Sequence, residues 1–289
     1  MANIRYSFII PHRNSPQLLY GLLETIPERD DIEVIIVDDN SKDSLRPQVK
    51  RNHTDVVYLD ASHSNGAGHA RNVGLARATG EWLLFPDCDD SYQNGFCNIL
   101  DKFAHSDLDV LYFNFRFIDG KTGEELPFGM KQYYDEFDGS QLSIDKIKYL
   151  NIPPWTKMVK SSFVQEHNLQ FEEVINGNDM FFSFSAGYCA KQIEVIKDEL
   201  YCYVKNEKGL SNSRVIPVEA HLCRIIHVFQ LRKFYTFIGH TEWRPSGIMR
   251  VMRSVRAGGI KVLFAFIAKI PYIICHSNDL VRLVREKKR

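Results

Sequence analysis

The stretch "GEWLLFPDCDDSY", Gly80 to Tyr92, carries the side chains best suited to chemistry. A large apolar run, Trp82 to Phe85, ends in three carboxylates, Asp87, Asp89 and Asp90. In extended backbone, residues i and i+2 face the same side, so Asp87 and Asp89 can address one ligand while Asp90 turns away. Two carboxylates in a desolvated pocket repel each other and raise each other's proton affinity. A divalent cation removes that penalty. Hard oxygen donors suit Mg2+ or Mn2+, which bind through one or two carboxylates together with substrate phosphates. The competing reading is a capping cluster, Asp87 to Ser91, ahead of a helix over 93–103. Spacing alone leaves both open.

Two other stretches have similar character. In "VDDNS", 37–41, Asp38 or Asp39 could accept from a ribose hydroxyl or a base N–H, or the segment could be an Asx-turn with a helix cap. "GAGHARNVG", 66–74, offers small residues, Gly68 among them, and exposed amides at a helix start, where anions bind. Arg71 adds a charge for phosphate or base.

Elements must bring these pieces together. "YSFIIP" predicts a strand closed by Pro11, and "IEVIIVDD", "DVVYLD" and "EWLLFPD" predict three more. Leu18, Leu19, Leu22 and Leu23 fall at helical spacing, with Ser15 as N-cap and Pro16 in the first turn. Strands alternating with helices predict a Rossmann-like, mostly parallel α/β sheet flanked by helices. Ligands of such sheets lie outside the carboxyl ends of the strands, where "PHRN", "DDNS" and "DCDD" all fall. A strand resumes at "LDVLYFNFRFID". Residues 119–140 read as a mobile loop, and an α+β remainder runs to about 215.

The chain has 289 residues, 44% hydrophobic and 25% charged, which excludes wholesale disorder. Six scattered cysteines without a C-x-x-C pair read as reduced thiols, and the first residues show no signal-peptide pattern. The net charge of zero hides a split. Residues 220–289 hold 14 Lys/Arg against 3 Asp/Glu, and the rest of the chain is correspondingly acidic. A basic tail faces something anionic.

In this order, at these strand exits, "FIIPHRN" (8–14), "EVIIVDDNSKD" (33–43), "GAGHARNVGLARATGEWLLFPDCDD" (66–90) and "NGNDMFFS" (176–183) resemble glycosyltransferase family 2, the inverting GT-A enzymes that use nucleotide sugars. The likeness is close over residues 4–115 and looser to about 205. It implies Pro11 and Asn14 near a uridine, with His12 and Arg13 in place of a more usual small-aromatic pair. It implies Asp39 on the base, Arg71 on base or diphosphate, Asp87 near ribose and metal, Asp89 as principal metal ligand, and Cys88 as a spacer beside the nucleotide. Asp179 matches the family's general base, with Asn178 replacing an acidic neighbour. That replacement lowers the pressure to raise the Asp179 pKa. An N-cap is the alternative for Asp179. Trp155 is a candidate acceptor platform, or a core residue; Lys157, two residues on, could meet the diphosphate.

From Val218 the chain reads as basic amphipathic helices. Ile248, Val251, Met252 and Val255 form one stripe beside Arg250, Arg253 and Arg256. The uncharged run 262–268 is too short to span a bilayer, so the pair reads as an interfacial anchor on anionic lipid. A lid or a homo-oligomer interface competes with that reading. Domains are thus expected at 1–215, a GT-A unit with a nucleotide-sugar half (1–115) and an acceptor half (116–215), and at 216–289, a helical extension. The expectation is a metal-dependent transfer from a UDP-sugar to a glycan or lipid-linked hydroxyl in bacterial capsule or lipopolysaccharide synthesis. It would act in the cytoplasm, peripheral on the inner membrane, without nucleic acid. A nucleotidyltransferase fits less well, since "PHRNSPQ" lacks glycines. A non-catalytic nucleotide-sugar-binding protein is the reading from a different class.

Overall fold

A computed structural model describes residues 4–206 and 216–288. The first half alternates β1 (Tyr6–His12), α1 (Pro16–Thr25), β2 (Ile32–Asp39), β3 (Thr54–Leu59), α2 (Gly66–Leu75) and β4 (Trp82–Leu84). Next come β5 (Ser91–Tyr92), α3 (Phe96–Leu100), β6 (Val110–Asp119), α4 (Lys131–Asp135) and α5 (Gln141–Leu150). The second half closes with β7 (Lys157–Lys160), α6 (Ser161–Glu166), α7 (Met180–Cys189) and β8 (Ile193–Lys205). Four helices follow: α8 (Val218–Phe237), α9 (Gly247–Gly258), α10 (Ile260–His276) and α11 (Asp279–Lys287).

The strands form one eight-stranded sheet in the order β3-β2-β1-β4-β7-β6-β8-β5. β3, β2, β1 and β4 are parallel, as continuous apolar runs require when helices cover both faces. β7 then runs antiparallel between β4 and β6, while β6 and β8 pair in parallel. The switch at β4/β7 joins the two halves edge to edge. Phe8, Ile36, Leu84, Phe113 and Met158, all buried, continue one core across it.

Several local expectations change. β1 does not stop at Pro11 but continues to His12 beside β2. Its pairing with β4 ends at Phe8, so the missing proline N–H is asked for on one side only. Ser15 precedes α1, but its hydroxyl donates to the Arg13 carbonyl and caps nothing. Residues 119–140 contain a tight turn, with Leu126 N–H donating to the Phe117 carbonyl, and the short helix α4. Tyr134, fully buried, anchors that segment in a polar context that hid it. All six cysteines are free.

The C-terminal helices pack on the sheet domain. Tyr149, Met180 and Phe184 share a buried cluster with Phe234, Tyr235, Leu280, Val281 and Val284, which joins α5 and α7 to α8 and α11. A smaller cluster around Ile225, Val262 and Ile273 holds α10 against α8. The expected boundary at 215/216 lies at the edge of residues 207–215, outside the described ones.

Candidate active site

The exits of β1 and β2 are stitched together by short polar bonds. His12 Nε2 accepts the Ser15 amide at 3.1 Å, so the ring proton sits on Nδ1 and is donated to Asp38 Oδ1 at 2.7 Å. Ser41 Oγ donates to the same Asp38 oxygen at 2.5 Å and accepts the Asn14 amide at 2.6 Å. Asn14, at φ 55°, accepts the Lys42 amide on its side-chain oxygen. The His12 side chain is completely enclosed. His12 is therefore a clamp between two loops and not a nucleotide contact. Pro11 is half-buried at the start of this clamp.

Asp39 faces α2. Its two oxygens accept the Asn65 and Gly66 amides at 3.1 and 3.2 Å, and Arg13 Nη1 lies 3.6 Å away. The helix N-terminus expected to receive a phosphate is thus occupied by the chain's own carboxylate. Gly68 likewise serves packing. A Cβ there would lie 1.9 Å from the Glu172 carbonyl oxygen, so the missing side chain admits the 172–178 loop and not a ligand.

Arg71, only 4% exposed, links the two halves. Nη2 donates to Asp87 Oδ1 at 2.5 Å, Nη1 donates to Asn178 Oδ1 at 2.9 Å, and the guanidinium lies over the Phe171 ring. Arg71, which the resemblance puts on base or diphosphate, spends Nη1 and Nη2 on protein partners, while its buried Nε has none. Asn178, noted only as a departure from the family, is one of them.

Residues 87–90 form a turn closed by the Asp90 amide on the Asp87 carbonyl, so the extended-backbone relation of Asp87 and Asp89 does not hold. Strand β8 grips this turn. Tyr201 Oη accepts the Asp87 amide at 3.0 Å and donates to Asp90 Oδ2 at 2.7 Å. Val204 N–H donates to Asp90 Oδ1, and Asn206 Nδ2 donates to the Asp89 carbonyl. Asp90 is buried and structural. Burial and then the Asp87 charge push the Asp89 carboxyl above the usual carboxylate range. Burial and the carboxylates of Asp89, Asp87 and Asp90 push the Cys88 thiol up as well, so it is a poor metal ligand at neutral pH.

Asp179 ends the loop that precedes α7, and its side chain caps nothing, against the N-cap alternative. Burial raises its pKa, opposed by Arg71 and Lys157 and reinforced by Asp87. The loss of an acidic neighbour at position 178 therefore does not leave an ordinary carboxyl, because desolvation does the raising.

Two acceptor-side expectations fail. Trp155 is 4% exposed and stacks on Tyr201 and Tyr203 with centroids 4.9 and 5.4 Å apart, so it is a core residue and no sugar platform. Lys157 is 1% exposed. Its ammonium donates to the carbonyls of Asn151, Ile152 and Pro153 and to Ser183 Oγ, out of reach of a diphosphate. Burial lowers its pKa to about 7, with the Asp179 charge acting in the opposite sense. No sequence signal pointed to Tyr201 or Asn206, whose roles arise from how β8 lies over the 87–90 turn.

Among the described residues no three His, Cys, Asp or Glu side chains converge on a metal position. Asp89, at the β4 exit, has the required character, a partly desolvated carboxylate whose charge a cation would relieve. A magnesium-type site with one carboxylate and substrate phosphates fits that donor set.

The eight-stranded sheet, parallel over β3, β2, β1 and β4 and mixed from β7 onward, with helices flanking it, is the GT-A fold. Residues 7–163, more than half of the chain, match Glycosyl transferase family 2, and the protein belongs to that family. EpsH of Bacillus subtilis, whose name assigns it to the glycosyltransferases, is 25% identical over 288 residues, covering 88% of this chain and 82% of EpsH. The poly(ribitol-phosphate) beta-N-acetylglucosaminyltransferase TarS of Staphylococcus aureus is 28% identical over 240 residues, covering 78% of this chain but 40% of TarS. The solved structure of S. aureus TarS 1–349 in complex with UDP-GlcNAc shares the fold, with TM-score 0.62 at 21% identity over 99% of this chain and 90% of that one.

Proposed function

We propose that this glycosyltransferase moves a sugar from a UDP-sugar to a hydroxyl of a surface glycan or its lipid-linked precursor, with inversion at the anomeric carbon. The observation that carries the reading is the convergence on one buried arginine: Arg71 holds Asp87 and Asn178, and both Arg71 and Asp87 act on the charge of Asp179, the next residue after Asn178. TarS, which shares the fold, was solved with UDP-GlcNAc. The nucleotide lies over the exits of β1 and β2, where Pro11, Asn14 and Asp39 shape the floor. Asp89, with Asp87 beside it, would hold a divalent cation, which would supply charge neutralisation to the departing diphosphate. Asp179 takes the acceptor proton as that oxygen bonds to the anomeric carbon and the bond to the diphosphate breaks. Its raised proton affinity suits a base that must hold the proton it receives.

The acceptor side adjoins a surface that fits a bilayer. α10 presents Ile260, Phe264, Ile267 and Ile274 outward, and α9 presents Ile248 and Met252, each more than half exposed. No acidic residue lies between Glu242 and Asp279, while Arg250, Arg253, Arg256, Lys261 and Lys269 fall there. Val251 and Val255, expected on the same outward stripe, pack inward against α8. By length and composition the stretch Ile260–Lys287 could cross a membrane, its most apolar 18 residues having a mean hydropathy of 1.5, which the short run 262–268 did not reveal. Pro271 lies inside α10, which ends at His276 before α11 begins, and Val262 and Ile273 are buried on α8. An interfacial position on anionic lipid at the cytoplasmic leaflet reconciles these features.

Nucleoside diphosphate release measured across UDP-, GDP- and dTDP-sugars, with and without manganese, tests the donor and the metal together. Turnover with a UDP-sugar that needs the metal is expected. Metal-independent turnover with a GDP-sugar overturns both assignments.

A further inference from the structure

The C-terminal helices reach the catalytic loop directly. Residues 172–178 form a loop closed at its base by the Glu172 amide donating to the Asn178 carbonyl at 2.9 Å, and the next residue is Asp179. One flank rests on α2, where Gly68 admits the Glu172 carbonyl and Arg71 holds Asn178. The other flank rests on α8. Arg224 Nε donates to Asn176 Oδ1 at 3.1 Å. The His227 ring lies against Gly177, so closely that a Cβ at 177 would be 2.6 Å from Nδ1, and His227 Nε2 is 3.4 Å from Glu172 Oε2. Gly177 stands at φ 75°, a left-handed conformation that glycine adopts freely, so it answers both the turn and the ring above it. His227 is 8% exposed, and the loop cannot shift toward α8 without displacing it.

We infer that Arg224 and His227 are positioning residues for the base: they fix the 172–178 loop so that Asp179 stands at the distance the acceptor hydroxyl requires. The inference rests on Asp179 being the base. A base displaced by about 1 Å forfeits up to about a hundredfold in rate while leaving donor binding intact. The catalytic unit then does not end near residue 215, because a helix of the extension completes the acceptor side. α8 is also the helix on which α9 and α10 pack, so the surface proposed to meet lipid and the base loop are two faces of one support.

The test uses the full chain and reads kcat, donor KM and melting temperature separately. Arg224→Ala and Asn176→Ala, from opposite sides of one contact, are each expected to lower kcat about tenfold, with donor KM within about twofold. The double variant is expected to lose no more than either single one, because both remove the same contact. Arg224→Lys, which keeps a donor, is expected to recover most of kcat. His227→Ala is expected to behave like Arg224→Ala, and His227→Gln to recover part of the loss. Unchanged kcat in folded Arg224→Ala and Asn176→Ala overturns the inference, and so does a strictly multiplicative double variant. If Arg224→Ala does not fold, Asn176→Ala alone decides. Asp179→Asn in the same series separates the premise. An inert Asp179→Asn beside an unaffected Asn176→Ala means that the positioning fails and the base stands, whereas an active Asp179→Asn means that the base assignment itself is wrong.

Discussion

Three adjacent carboxyls show how little residue type settles. Asp87 is bound to a buried arginine, Asp89 is partly desolvated, and Asp90 is spent on Tyr201 and Val204. The sign of the shifts at Asp89 and Asp179 makes a prediction. A carboxyl whose proton affinity rises on folding binds more protons folded than unfolded, so its ionisation opposes folding. That cost is absent below the ordinary carboxylate range and complete above the raised folded value. Asp89→Asn and Asp179→Asn at pH 7 should therefore keep the wild-type melting temperature or gain about 2 °C, while Asp179→Asn loses at least about a hundredfold in turnover. Addition of manganese and UDP should raise the melting temperature of wild type and not of Asp89→Asn. Thermal melts with parallel UDP-release assays check this; a melting temperature several degrees lower in either variant contradicts the reading of desolvated charge. That these aspartates sit at strand and helix ends was legible, because caps and apolar runs are local signals. Which of them would be desolvated was not, because β8, over 100 residues away, covers the turn.

At the scale of elements, the strands of the parallel half were readable from continuous apolar runs and the acceptor half was not. β7 and β8 are short or interrupted, and their partners are set by register across the sheet. Trp155 and Lys157 were misplaced for that reason: the pair sits at a 3-10 turn and the start of β7, under β8 and α7, so both side chains are enclosed. The junction of α8 with the sheet domain carries its own pH dependence. His240, just past α8, bonds Glu242 Oε1 at 2.9 Å and Asp145 Oδ2 of α5 at 3.1 Å. Burial works against its charge, but the hydrogen bonds and charges of Asp145 and Glu242 outweigh burial, and the net shift is upward. A histidine with a raised folded pKa contributes stability that is fully present below its ordinary value near 6.5 and lost as pH rises through the folded value. Denaturant melts across pH 5.5 to 8.5 should show wild type losing about 1 kcal/mol that His240→Gln never has. Parallel curves for the two proteins would refute the pin.

For the whole molecule, the opposed charges of body and tail take on a spatial meaning. The basic, apolar face of α9 and α10 is held to the protein by a small cluster, whereas α8 and α11 are built into the large packing around α7. The proposed lipid contact and catalysis are therefore separable by substitution. Phe264→Glu together with Ile267→Glu should reduce co-sedimentation with vesicles containing anionic phospholipid by about tenfold or more, and leave UDP release with a soluble acceptor unchanged. Equal binding of wild type and variant to these vesicles would remove the bilayer from the account.

By itself the sequence determined the parallel half-sheet, the carboxylates at its exits and the amphipathic tail, all written in periods and end-signals spanning fewer than about twenty residues. The aspartate before α7 was legible only through the family resemblance. Only the tertiary structure decided that Asp39 fills the α2 N-terminus, that Arg71 reaches Asn178 across 107 positions while holding Asp87, and that α8 packs on the loop before Asp179. Those contacts depend on strand register and on helices docking from distant parts of the chain. A hydrogen bond between two side chains leaves no trace in the spacing of either one.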